Sequence, residues 1–159
     1  MKRFLIGFAF CFLQLAAFSF CSGDEPMPTH FTEWKAETIV DKSEIDRTGL
    51  DAWFKSEEIS DDVFDRMWLK SWKENCPLDR SYLRYLKMLH RNADGLPQRG
   101  EMVVNAAIAD KVLGIFRRLY EADYRIERMA LIDNYGADDE AAMRANNSSS
   151  FNFRSVSYT

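Results

Sequence analysis

The chain has 159 residues, with 21 Lys and Arg against 25 Asp and Glu and a net charge of −4. That length allows one domain with a real hydrophobic core. The acidic balance excludes a partner held mainly through nucleic-acid phosphates, which calls for a basic face. His30 and His90 are the only histidines, so a metal centre or catalytic triad has little imidazole to draw on.

Met1-Lys2-Arg3 precedes a run from Phe4 to Cys21 that is interrupted only by Gly7, Gln14 and Ser19 and carries no charge. Phe4, Phe8, Phe10, Phe12, Phe18 and Phe20 are half of the chain's 12 phenylalanines, so folding arguments start after them. A basic start, an apolar run and then small and polar residues have the layout of a bacterial-type export signal over residues 1–21. Ala17-Phe18-Ser19 offers small residues for cleavage after Ser19. Cys21 offers a second reading, a lipoprotein signal acylated at this cysteine, although Phe20 stands where a lipobox has a small residue. Both readings predict export: periplasmic, secreted or lipid-anchored, with the membrane touched only through the signal or the anchor. Disulfides can form in such a compartment. With Cys21 removed or acylated, Cys76 has no partner and reads as a small buried hydrophobe.

Residues 22–58 carry Pro26, Pro28 and Gly49 among many charges and read as a tether with one or two short helices. From Ser60 the signals sharpen. Ser60-Asp61-Asp62 supplies an N-cap and an acidic first turn. Val63, Phe64, Met67 and Trp68 follow at helical spacing, which predicts a helix over 61–68.

Ser81 to His90 and Glu101 to Asn105 are β-leaning runs. Between them, residues 92–100 hold Asn92, Asp94, Gly95, Pro97 and Gly100, the composition of a reversal, which predicts an antiparallel pair. Ala106 to Asp123 predicts a core-facing helix, with Ile108, Val112, Ile115, Phe116, Leu119 and Tyr120 as its apolar stripe. Strands are expected at Ile126 to Ile132 and Phe151 to Val156. Between those two lie a turn at Asp133 to Gly136, a helix from Asp138 to about Arg144 and a polar loop at Asn146 to Ser150. The fold class is α+β, with amphipathic helices packed on a small antiparallel sheet.

Composition and spacing supply little chemistry. No H-x-x-x-H, H-x-x-E or C-x-x-C spacing occurs, so the three side-chain ligands of a catalytic zinc are missing. His30 falls in the tether and His90 reads as a structural residue at a sheet edge. Asp138-Asp139-Glu140 reads as charge complementing a helix start. Asp61, Asp62, Asp79 and Asp133 lack the spacing of a glycosidase pair. Ser148-Ser149-Ser150 has no G-x-S-x-G context, and no Gly-rich phosphate loop is present.

Six segments, taken together and in order, resemble the N-terminal part of the zinc peptidoglycan peptidases of the D-alanyl-D-alanine carboxypeptidase (VanY-like) and L-alanyl-D-glutamate endopeptidase group. They are Val63-Phe64-Asp65-Arg66-Met67, Leu83 to His90, Gly100 to Asn105, Ile115 to Tyr120, Leu131 to Asp139 and Asn146 to Arg154. In that family an aromatic-Arg pair, matched here by Phe153-Arg154, comes just before a signature S-x-H-x-x-G-x-A-x-D that supplies a zinc-binding His and Asp. A later segment supplies a general-base Glu and a third ligand, a His. The resemblance implies that Arg154 polarises the scissile carbonyl and stabilises the oxyanion, a task a fixed guanidinium performs best in a dry site. Leu69 stands where family members carry Gly, which puts that turn's geometry in question.

The signature is not among the 159 residues. The expectation is therefore an incomplete zinc peptidoglycan peptidase domain over residues 59–159, without catalytic zinc and inactive alone. The family's zinc would activate water, and its substrate would be a peptidoglycan stem peptide with a D-Ala-D-Ala or L-Ala-D-Glu type bond. The alternative is a short cell-wall-binding or partner-binding module with no catalysis. A terminal strand at Phe151 to Val156 would leave an open sheet edge, which predicts self-association.

Overall fold

The computed structural model describes residues 34–154. The expected export signal, Cys21, His30 and the start of the tether lie outside the described residues, as does the end of the expected last strand. Among the described residues no helix is long and apolar enough to cross a membrane.

The architecture is α+β: short helices around a three-stranded antiparallel sheet in the order β1-β2-β3. Strand β2 (Leu83–Arg91) and strand β3 (Pro97–Asn105) form the predicted hairpin, in register from Leu83 opposite Asn105 to Arg91 opposite Pro97. The reversal is built by Asn92, whose carbonyl and side chain receive the amides of Asp94, Gly95 and Leu96. Gly95 takes φ +82° there, the left-handed backbone that favours glycine.

Alternation along the hairpin sorts the core into two faces. Leu86, Met88, Met102 and Val104 face helix α3 (Ala109–Glu121), meeting Ala109, Val112, Leu113 and Phe116. Leu83, Tyr85 and Val103 turn the other way and meet Val63, Met67 and Trp72, on or just after helix α2 (Asp61–Met67). Ser60 caps α2 as its sequence predicts, accepting the Val63 amide. The long helix differs from its sequence reading in detail. Residues Ala106–Ile108 form a 3-10 turn, so Ile108 precedes the helix and stays 46% exposed. Ile115 falls on the flank of the stripe at 51%, and Leu113 takes a core position instead.

The expected tether is, from Trp34 onward, part of this body. Helix α1 (Lys42–Thr48), a 3-10 turn at Leu50–Trp53 and strand β1 (Lys55–Glu57) follow one another. Val40, Ile45 and Trp53 are buried with Leu89 and Tyr120. Charge and proline content suggested solvent exposure, but the apolar residues between those charges converge on one side. Strand β1 then pairs with β2, placing Lys55 opposite Lys87 and Glu57 opposite Tyr85.

Among the described residues neither late strand forms. Residues 126–131 run as irregular chain that touches the sheet through isolated contacts, the Ile126 amide on the Arg91 carbonyl and the Glu101 amide on the Met129 carbonyl. A 3-10 turn follows at Ile132–Tyr135, then helix α4 (Asp139–Arg144). Phe151–Arg154 is likewise irregular. The outer edge of β3 is therefore not left open along its length. The 37–40 segment pairs with Pro97 and Arg99, Met129 receives Glu101, and Phe151 donates to Val103. One ladder partner is replaced by three separate pieces of chain, which is why alternating sequence at the last piece did not make a strand.

Candidate functional site

Arg154 follows a segment fastened at three points. The Phe151 amide donates to the Val103 carbonyl (3.2 Å) and the Phe153 amide to the Ser71 carbonyl (2.9 Å). The Asn152 side-chain amide donates to the Ala137 carbonyl (3.2 Å) and to Asp139 Oδ1 (3.1 Å). Arg154 itself is 65% exposed and ion-paired with Asp139. It stands on an open cleft of about 580 Å³, with Leu69, Lys73, Asn75, Asn152 and Phe153 also on the wall.

The Ser71 loop that holds Phe153 is itself held by Asp133, which the sequence placed only in a turn. Its carboxylate is 4% exposed, and Oδ1 accepts the Ser71 amide at 3.0 Å. The turn before Ser71 passes through Leu69 with φ +60°, a left-handed conformation in which an L side chain is strained. That is the position at which the resemblance called for glycine. The Lys70 and Trp72 amides both return to the Met67 carbonyl, so the turn is closed despite the strain.

A second polar cluster lies under α2. Glu101, 1% exposed in the middle of β3, accepts from Arg66 Nη1 (3.0 Å) and Nη2 (2.5 Å), from the Leu131 amide (3.3 Å) and from the Tyr85 hydroxyl. Arg66 continues to Asn134 Oδ1 at 3.2 Å. The hydrogen bond to Glu101 holds the Arg66 guanidinium firmly protonated. Burial and the Glu101 charge push the Tyr85 phenol well above its usual range, so it stays a donor. Both carboxylate oxygens of Glu101 have two partners each, which leaves no lone pair directed at a ligand. The cluster is a fastening between α2, β3 and the 131–134 turn, not a reactive site. Its only sequence signal was a lone acid inside an apolar β run.

His90 is buried, as a structural residue, at 1% exposure. It lies near the end of β2, where the sequence placed it, but is enclosed rather than on an open edge. Nδ1 meets the Ile126 carbonyl at 2.8 Å, and Nε2 has no hydrogen-bond partner. Burial lowers its pKa against the opposing effect of its backbone hydrogen bonds. Gly100 packs against the ring, where an added Cβ would come within 3.0 Å of His90 Cδ2 and 2.9 Å of Met129 Cβ. Cys76 is half-buried beside the α2 core.

The donor set does not fit a zinc ion. Among the described residues no group of three His, Cys, Asp or Glu converges, and His90 is committed to the core.

The acidic run at α4 divides its work. Asp138 caps the helix, accepting the Glu140 (2.9 Å) and Ala141 (3.2 Å) amides, as the dipole reading anticipated. Asp139 instead reaches Asn152 and Arg154. No protein-family model, curated protein or solved structure matches the chain.

Proposed function

We propose that residues 59–154 are the front part of a zinc-dependent peptidoglycan peptidase domain of the D-alanyl-D-alanine carboxypeptidase or L-alanyl-D-glutamate endopeptidase kind, exported from the cell. The observation that carries this reading is the backbone at Leu69. The resemblance asks for glycine there, and the chain adopts the left-handed φ of +60° that glycine would favour. The placement of Arg154 supports it further: it lines an open cleft on a segment pinned at Phe151, Asn152 and Phe153. In the complete reaction Arg154 would stabilise negative charge developing on the scissile carbonyl, while the family's zinc, held by ligands outside these residues, would supply activated water.

The test begins with the coding DNA beyond Thr159. A Ser-x-His-x-x-Gly-x-x-x-Asp pattern within about twenty residues, in any frame, provides an extended chain to express. That chain is expected to retain zinc through dialysis and to cleave stem peptides, and Arg154→Ala in it to lower kcat by about 10²–10³-fold. The 159-residue chain is expected to do neither. Stoichiometric zinc together with peptidoglycan cleavage by the 159-residue chain overturns the reading. Unrelated downstream sequence, with binding of the chain to isolated sacculi, favours the cell-wall-binding module instead.

A further inference from the structure

Asp138, Asp139 and Glu140 are consecutive, yet each has a different partner. Asp138 caps its own helix and Glu140 pairs with Arg144 one turn on. Asp139 alone leaves the helix and crosses to the 152–154 segment. The chain reaches that geometry through two successive left-handed residues, Gly136 (φ +67°) and Ala137 (φ +60°). Gly136 adopts this backbone freely, but Ala137 is strained in it, and strain of that kind persists only where surrounding contacts hold it. Here the holding contact is visible: the Ala137 carbonyl accepts from Asn152 Nδ2 at 3.2 Å, and the same Nδ2 reaches Asp139 Oδ1 at 3.1 Å. The carboxylate's other oxygen, Oδ2, pairs with Arg154. Asp139 is 36% exposed at its side chain, against 80% for Glu140.

We propose that Asp139, braced by Asn152 and by the strained Ala137 turn, is the positioning residue that fixes the Arg154 guanidinium at the cleft wall. This rests on the role proposed for Arg154. The chemistry is direct. A guanidinium on an irregular terminal segment samples many rotamers, and ordering it at the moment of reaction costs side-chain entropy. A carboxylate that engages one side of the planar group in advance removes much of that freedom and leaves the remaining N–H donors to face a developing oxyanion. The backbone amide of the neighbouring Phe153 is held by the Ser71 carbonyl, so the backbone and the side-chain head are fixed by different parts of the chain.

The test needs neither metal nor substrate. In the full chain labelled with 15N-arginine and cooled to resolve the guanidinium protons, the Arg154 Nη2–H signal is assigned by its loss in Arg154→Lys. It is expected to lie away from the free-arginine position and to exchange slowly. Asp139→Ala is expected to return it to the free position, Asp139→Glu to restore part of the displacement, and Asp138→Asn, which keeps a good cap, to leave it unmoved. Should Asp139→Ala disturb the backbone spectrum as a whole, Asn152→Ala serves as the second variant and is expected to shorten the exchange protection. A wild-type signal already at the free-arginine position, or one unmoved by Asp139→Ala and Asn152→Ala, overturns the proposal. Failure of the extended chain to cleave peptidoglycan while this coupling persists would count against the peptidase reading alone.

Discussion

The indole Nε1 of Trp34 donates to the carbonyl of Gly100 at 3.2 Å, joining residues 66 positions apart. The Arg99 guanidinium lies over both the Trp34 and Trp53 rings, 5.2 and 5.4 Å from their centroids. These contacts fasten the segment before α1 to β3. Trp34→Phe keeps an aromatic ring but removes the indole donor, while the Gly100 carbonyl keeps its ladder partner opposite Met88, and is expected to cost about 1 kcal/mol. Trp34→Ala also removes the stacking and is expected to cost about 2–3 kcal/mol, somewhat below a fully buried site because Trp34 is only partly buried. Urea unfolding of the two variants checks both values, and an unchanged midpoint for Trp34→Ala would contradict the packed assignment of this segment.

Glu101 and Arg66 form a pair with one end buried and the other at the surface. Glu101→Gln is expected to cost about 2–3 kcal/mol, since charge-assisted hydrogen bonds weaken while Arg66 and Tyr85 keep their desolvation. Replacing both, as Arg66→Met with Glu101→Leu, is expected to lose less than the two single changes summed. A double-mutant cycle in urea measures that coupling, and simple additivity would mean that the pair contributes no joint stability.

Leu69→Gly removes left-handed strain of about 1–2 kcal/mol and gives back part of it through the greater freedom of unfolded glycine. Leu69 is 58% exposed, so little apolar burial is lost. A net gain of about 0.5–1 kcal/mol is expected, read as a higher urea midpoint with an unchanged slope. Leu69→Val, β-branched at the same φ, is expected to move the midpoint the other way.

Burial makes folded His90 harder to protonate than a histidine in the unfolded chain, which titrates near ~6.5. Acidification through that value protonates the unfolded state first. The contribution of His90 to stability is therefore full above about pH 6.5 and declines as the pH falls toward the lower folded value, with a slope of at most about 1.4 kcal/mol per pH unit. His90→Asn keeps a donor for the Ile126 carbonyl and removes the titration. Urea unfolding at pH 7.5 and 5.5 is expected to show a smaller acid loss in His90→Asn than in the parent, and His30, common to both chains, cancels.

The parts of this fold that local chemistry decides were legible in the sequence. Ser60 as a cap, the β2–β3 hairpin around Asn92 and Gly95, and the α4 start at Asp138 each depend on residues a few positions apart. What stayed hidden depends on distant partners. Residues 126–131 and 151–154 have strand-like composition, but the backbone groups they serve on β3 are single ones, so no ladder extends. Nothing local marks Trp34 and Trp53 as packed, because Arg99, whose guanidinium lies over both rings, is far along the chain. At the candidate site, Arg154 was reached only by resemblance, and Asp139 was absorbed into a helix start because nothing local marks its reach to Asn152.

The outer rim of β3 also sets an order of assembly. Its hydrogen-bonding groups are served by residues 37–40, by Met129 and by Phe151, so closure waits for a stretch made well after β3. A nascent chain holding β3 but not yet Phe151 has its Val103 carbonyl unserved and part of the α2 face bare, and gains little by collapsing early. Contacts of such sequence separation slow folding. Closure of this edge is therefore a late, long-range step, reached only when Phe151 meets the hairpin.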